Sequence, residues 1–313
     1  MKKFFIIFFF FLASAAIHFS FLPVDTIKTK AALGKKLFNE KILSKDSSIS
    51  CASCHIPEFG FADTAALSKG IFGRLTKRNT PSVLNMKNRP YFFWDARAET
   101  LEQQALMPIA NPDEMGLPIK EAVARLNAHP VYKKLFLQVF GTVPNAKNLS
   151  AAFAAFEKTL ETGESKFDLS VDDKVQLTVS EERGRKLFIS DKTHCFDCHR
   201  GEDFTNDDFK NIGLFDGHEL NDKGRFNQTK DSLDLGKFKT PGLRNIAITA
   251  PYMHDGRFAT LEQVVEYYNS PTHFISNPIN IDKTLAMPLR LSQQDKADLI
   301  AFLKTLTDKR YVK

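Results

Sequence analysis

The sequence predicts a mostly α-helical chain made of two similar domains packed together, with little or no β-sheet. Three observations predict it. The pattern C-x-x-C-H occurs twice, as CASCH at 51–55 and CFDCH at 195–199, 144 residues apart, and uses all four cysteines. Similar residues surround each copy: LGKKLF at 33–38 and RGRKLF at 183–188 precede them, and FGFAD at 59–63 and DFTND at 203–207 follow. Elsewhere apolar residues recur at helical spacing rather than in alternation. A chain of 313 residues has room for two modest cores. The expected division is 17–165 and 166–313.

The elements follow in order. MKKFFIIFFFFLASAA opens the chain, with Lys2 and Lys3 as a positive start, Phe4–Leu12 as an apolar stretch, and Ala13-Ser14-Ala15 as a small-residue cleavage site. Residues 1–16 therefore read as an export signal, and a periplasmic mature protein is expected. An uncleaved anchor is the alternative. No later segment is apolar and long enough to span a bilayer. Helices are expected over 26–39, which carries Ile27, Leu33 and Leu37, and over 100–107, stopped by Pro108. Others are expected over 119–128, 130–140, 150–161, 180–188, 261–268 and 292–306. The Phe153, Phe156 and Leu160 stripe reads as core. The stretch 201–239, rich in Asp, Asn and Gly, reads as loop.

The C-x-x-C-H spacing has a chemical reason. Two thiols add across the two vinyl groups of one porphyrin, and the adjacent His reaches the iron. A redox dithiol or a zinc site would also use paired cysteines. Two copies behind an export signal, with no cysteine left over, point to two covalent c-type haems. The net charge of +6 contains no run of five basic residues, so nucleic acid is not an expected partner. A mildly basic face would steer an acidic redox partner or keep the protein soluble.

Four segments, KRNTPSVLN (77–85), FFWDARAETLEQQALMPIANPDEMG (92–116), AAFEKTLETGESKFD (154–168) and TPGLRNIAITAPYMHDGRFATLEQVVEYY (240–268), resemble the bacterial di-haem cytochrome c peroxidases. They are similar also to that family's relative, the di-haem enzyme of methylamine utilisation. The resemblance implies a peroxidatic haem on Cys51, Cys54 and His55 and an electron-transfer haem on Cys195, Cys198 and His199. It implies that Trp94, the only Trp in the chain, lies between them. It makes Glu114 the acid of the peroxide pocket, where a carboxyl moves a proton between the two oxygens, and Gln104 an amide lining that pocket. It implies a calcium ion held by Asn79, Thr249 and Pro251, an oxygen set suited to a hard cation. Arg244 is implied as a partner of a haem propionate, with a surface ion pair as the alternative.

Two positions depart from the family. Where the ordinary peroxidases carry a His that caps the peroxidatic iron, this chain reads SKGIFGRLTKRN, with Phe72 at that place. Its eight His residues, at 18, 55, 129, 194, 199, 218, 254 and 273, leave none between 55 and 129. The expectation is an open first iron that needs no reductive activation, with Met86 a nearby sulfur as the alternative ligand. The ordinary peroxidases also place a Met fourteen residues after the His of the PYxH motif; here that position is Tyr268, as in the methylamine-utilisation relative. Met287 is the rival sixth ligand. The expected function is reduction of hydrogen peroxide to water, with electrons from a small periplasmic donor, a monohaem cytochrome or copper protein. Peroxide-driven oxidation of a partner protein and plain electron carriage are the alternatives. Both a monomer and a homodimer are compatible with the sequence.

Overall fold

The computed structural model describes residues 27–311, so the expected export signal lies outside the described residues. The chain is mostly helical, and the only sheet found among those residues is a two-stranded one. The first half carries α1 (Lys30–Phe38), α2 (Leu101–Ala110), α3 (Ile119–Ala128), α4 (Pro130–Phe140) and α5 (Ala146–Glu157). The second carries α6 (Lys166–Val171), α7 (Val179–Phe188), α8 (Cys195–Cys198), α9 (Phe226–Thr229), α10 (Leu261–Asn269) and α11 (Gln293–Lys304). Strands β1 (Phe209–Lys210) and β2 (Phe238–Lys239) pair antiparallel inside the stretch expected to be loop.

Each half is organised by one helix crossing. In the first, α1 packs on α5, and a Cβ on Gly34 would lie 1.9 Å from the Ala152 carbonyl oxygen. In the second, α7 packs on α11, and a Cβ on Gly184 would lie 1.9 Å from the Asp298 carbonyl oxygen. Only glycine lets the backbones approach this closely. Beside each crossing stands the same aromatic pair, Phe38 with Phe156 at 5.2 Å and Phe188 with Phe302 at 5.3 Å. One core runs from Ile27 to Leu160, the other from Phe188 to Leu306, with Phe167 packed on it. The chain end returns to the first core, where Tyr311 packs on Phe61.

Several helix boundaries differ from the expected ones. Thr29 accepts a hydrogen bond from the Ala32 N–H and starts α1 at Lys30. Asn145 caps α5, which thus begins four residues before Ser150 and ends at Glu157. Thr178, not Ser180, caps α7 in a capping box with Glu181; the Ser180 hydroxyl bonds the buried Asp298 instead. Pro108 does not stop α2 but lies inside it. Its missing N–H costs one bond, at the Gln104 carbonyl, and it lies in the last turn, on the wall of a cavity. Helix α11 ends at Lys304 and α10 at Asn269.

The repeat is longer than the haem motifs. Residues 78–104 and 238–264 follow one another at a constant offset: Thr80-Pro81 and Thr240-Pro241, Asn85 and Asn245, Asp95 and Asp255, Arg97 and Arg257, Thr100 and Thr260. The backbone repeats too. Asn85 and Asn245 are both left-handed, as are Phe93 and Met253, and Phe92–Ala98 and Tyr252–Phe258 form the same isolated bridge. The halves meet across this element with exchanged hydrogen bonds: Asn79 N–H donates to the His254 carbonyl at 2.8 Å, and Lys239 N–H to the Trp94 carbonyl at 2.8 Å. Ion pairs line the seam. Arg78 holds Asp222 through two nitrogens and also reaches Asp95, while Arg89 bonds Asp203 and Asp207.

Candidate functional site

Two cavities flank the seam, and each contains one C-x-x-C-H motif. The first, about 960 Å³, is lined by Cys51, Cys54, His55, Trp94, Arg97, Gln104, Pro108, Glu114 and Glu157. The second, about 300 Å³, is lined by Cys195, Cys198, His199, Trp94, Tyr268 and a largely aliphatic wall. None of the four cysteines is paired in a disulfide. In each motif the His Nδ1 lies 3.0 Å from a main-chain carbonyl, Phe61 for His55 and Phe204 for His199. Both carbonyls belong to residues with positive φ. With Nδ1–H donating there, the Nε2 lone pair is free for a metal. Burial lowers the pKa of both imidazoles, which favours the neutral, ligating form. Free thiols, an oriented imidazole and a cavity make each motif fit a c-type haem.

The two cavities differ where the repeat diverges. On α2, Gln104 and Pro108 face the first; the corresponding positions on α10, Val264 and Tyr268, face the second. Proline offers no ligating atom, so α2 presents none at the place where α10 presents Tyr268. Gln104 Oε1 is buried there without a hydrogen-bond partner. Glu114 is half-buried, and its Oε1 accepts from Asn111 Nδ2 at 2.7 Å. Burial raises its pKa, against the opposing pull of the Arg97 charge and the Asn111 amide. The histidine-free segment closes on this acid from outside: Ile71 N–H donates to the Glu114 carbonyl, and a Cβ on Gly70 would lie 2.1 Å from the Asp113 carbonyl oxygen. Phe72 itself points to solvent and is 67% exposed.

Trp94 lines both cavities, and its indole N–H donates to the Asn79 carbonyl at 2.9 Å. Met86 also borders both. Tyr268 lies close to Cys195 and Cys198, and burial drives its phenol pKa far upward. Met287 is 68% exposed at the rim. Asn79, Thr249 and Pro251 share the wall of the second cavity. There the Asn79 amide nitrogen donates to the Ala65 and Ala66 carbonyls. Among the described residues no cluster of three or more His, Cys, Asp or Glu forms a metal site. Arg244 is bidentate to Asp168 and also reaches Asp203, so its guanidinium is already engaged in an ion-pair network.

Sequence reasoning missed three features. The repeat of 78–104 in 238–264 went unread because its cavity-facing residues differ. Arg97, which sets the field at Glu114, was absent from the candidates. So was Glu157, a carboxyl on the apolar stripe of α5 that borders the first cavity; a charge on such a stripe was the available signal.

Comparison with known proteins follows the same lines. The family described as di-haem cytochrome c peroxidase matches residues 28–176. The methylamine utilization protein MauG of Methylorubrum extorquens is 39% identical over 284 residues, 88% of this chain and 78% of that protein. The chain belongs to the di-haem cytochrome c peroxidase family. It is an oxidoreductase of that peroxidase family, which carries two c-type haems. The cytochrome c551 peroxidase of Nitrosomonas europaea is 35% identical over 94% of this chain and 87% of its own. Among solved structures, a MauG-like protein associated with microbial copper homeostasis superposes with a TM-score of 0.79 at 35% identity, covering 92% of each chain. The mostly helical fold is the one that this solved structure shares. No helix among the described residues is long and apolar enough to cross a membrane.

Proposed function

We propose that this protein reduces hydrogen peroxide to water at the site built on Cys51, Cys54 and His55. Electrons enter through the site built on Cys195, Cys198 and His199, from a small redox protein, and pass by Trp94. The observation that carries this reading is the substitution within the repeat: Pro108 stands over the first cavity where Tyr268 stands over the second. One site is thereby open to a small molecule and the other closed by a potential ligand. When bound, the haems supply the electrons that break the O–O bond, two per peroxide, with two protons making two waters. The chain supplies the rest. Glu114 Oε1 is held by Asn111, leaving Oε2 to take the proton from one peroxide oxygen and deliver it to the other. Gln104, whose Oε1 is buried without a partner in the same cavity, orients the peroxide. Phe72 provides no ligand, so the first site is open in the resting oxidised protein.

Tyr268 is assigned as the sixth ligand of the second haem in preference to Met287, on the strength of its enclosed position against the 68% exposure of Met287. A phenolate lowers a haem potential where Met raises it. Tyr268, together with the 39% identity to a methylamine utilization protein, also supports a second reading, oxidation of a partner protein. A calcium ion held by Asn79, Thr249 and Pro251 is proposed as a brace across the seam, Arg244 as a neighbour of a haem propionate, and the periplasm as the compartment.

The test is spectroscopic and kinetic. Ferric holoprotein should show one high-spin and one low-spin haem, with no Met-to-iron band. Tyr268→Met should create that band, whereas Met287→Leu should change neither haem. Steady-state turnover with peroxide and a reduced cytochrome c checks the activity. Peroxide consumption only with a protein substrate would favour the second reading, and a bis-His first haem would sink the open-site mechanism.

A further inference from the structure

The first cavity contains a carboxyl that the peroxide chemistry above does not use. Glu157, the last residue of α5, is 4% exposed, and its Oε2 has no hydrogen-bond partner. The repeat shows that packing does not demand it. The α1–α5 crossing matches the α7–α11 crossing, with Ala152 at the place of Asp298 and Phe156 at that of Phe302. Glu157 therefore corresponds to Leu303, a buried aliphatic residue that lines the second cavity. Position 264 repeats the contrast, with Val264 in the second half where the first has Gln104 and its own unpartnered oxygen. An apolar wall serves one site, and two unsatisfied oxygens face the other. Leaving a buried carboxyl unpaired costs stability, and the same fold has a ready apolar alternative.

We propose that Glu157 is a proton-exchanging carboxyl of the first haem cavity, taking up one proton when the haem seated there gains one electron and releasing it on oxidation. The charge balance is simple. Reduction removes one positive charge from the cavity, and a nearby carboxylate then binds a proton more tightly. The surroundings leave this response uncompensated. Glu102 on α2 repels the ionised form, and Lys158 is engaged with Glu102 at 3.2 Å. The buried residues of α1, Leu33, Gly34, Leu37 and Phe38, and of α3, Ala122 and Leu126, carry no charge. Cys51, the nearest ionisable neighbour in the attachment turn, becomes a thioether on haem attachment. Glu114 and Arg97 lie elsewhere on the cavity wall, engaged with Asn111 and Asp95. Burial pushes Glu157 up to about 8, inside the working range of pH. His55 is faced by Phe61, Pro81 and Asp63, so Glu157 acts on the cavity and not through the imidazole.

The inference rests on haem occupying the first cavity, which the count of covalent haems in the purified holoprotein checks separately. In that two-haem protein, the potential of the high-spin haem is measured by spectroelectrochemistry from about pH 6 to about pH 10. The wild-type potential should fall as pH rises through this range. Glu157→Gln should flatten the dependence, and Glu114→Gln should retain it. A slope unchanged in Glu157→Gln, or lost only in Glu114→Gln, overturns the proposal. If Glu157→Gln does not load haem, the reduced-minus-oxidised infrared spectrum of the wild type decides. A carboxylic C=O band gained on reduction, shifted in Glu157→Asp, supports it, and the lack of such a band overturns it.

Discussion

At the scale of single residues, Phe72 stands where the resemblance expects a histidine. Its segment is pinned by Ile71 to the Glu114 carbonyl and by the close approach of Gly70 to Asp113, and its side chain is turned to solvent. Restoring the family's histidine there should not restore the family's gate. Phe72→His is expected to leave the first ferric haem high-spin, because the backbone aims the side chain away from the cavity. Electron paramagnetic resonance checks it, and a new bis-His signal would show the segment swinging inward. Glu157 makes a stability prediction of definite sign. Its folded pKa, about 8, lies above the unfolded carboxyl value. The folded protein therefore binds more protons between about pH 4.5 and about pH 8, and stability falls as pH rises across that window. A shift of this size corresponds to roughly 3–5 kcal/mol at the top of the window. Glu157→Gln should thus be more stable than wild type at about pH 9 and little changed at about pH 5, as read by urea unfolding of holoprotein.

At the scale of elements, the helix crossing that recurs in each half is the part most exposed to a single methyl group. A Cβ at Gly34 or Gly184 meets backbone at 1.9 Å, which cannot rotate away. Gly34→Ala and Gly184→Ala should each cost about 1–3 kcal/mol or more by forcing the helices apart. Gly163→Ala, where nothing lies within 4 Å of the added carbon, should be near neutral. Thermal unfolding of the three variants separates close packing from backbone entropy. These crossings were half legible in the sequence, because LGKKLF and RGRKLF announce the first helix of each pair but not its partner. Helices α3 and α4 match their expected bounds to the residue, since Pro118, Pro130 and Gly141 punctuate them locally. Helix α2 runs two residues past Pro108, because a proline in the last turn removes one hydrogen bond without ending the helix. The two C-x-x-C-H motifs were legible from spacing, and the place of Glu114 beside the first of them from resemblance. The repeat of 78–104 was not, because it conserves turns and caps while exchanging Gln104 for Val264 and Pro108 for Tyr268.

At the scale of the whole molecule, the two halves meet at a seam that buries a titratable imidazole. His254 is buried at the seam, stacked on Phe238 with ring centroids 3.8 Å apart, and its carbonyl receives the Asn79 N–H. Burial depresses its pKa to about 4, opposed by Asp255 and Asp222 and assisted by Arg78 and Arg257. The unfolded or separated chain thus binds the extra proton more readily. Stability from this group is present above about pH 6.5 and is lost as pH falls towards about 4, a loss of roughly 3 kcal/mol. Asp222 acts in the same direction at lower pH, since its bond to Arg78 holds the carboxyl below its ordinary value. Acid should therefore open the seam before it unfolds either core. Trp94, the sole tryptophan, lies on the walls of both cavities, where bound haem would quench its emission. Its emission should rise on acidification through about pH 5 while far-ultraviolet circular dichroism is unchanged. His254→Gln should remove most of that early transition. If emission and helicity change together in both proteins, the seam is no weaker than the cores and the acid sensitivity lies elsewhere.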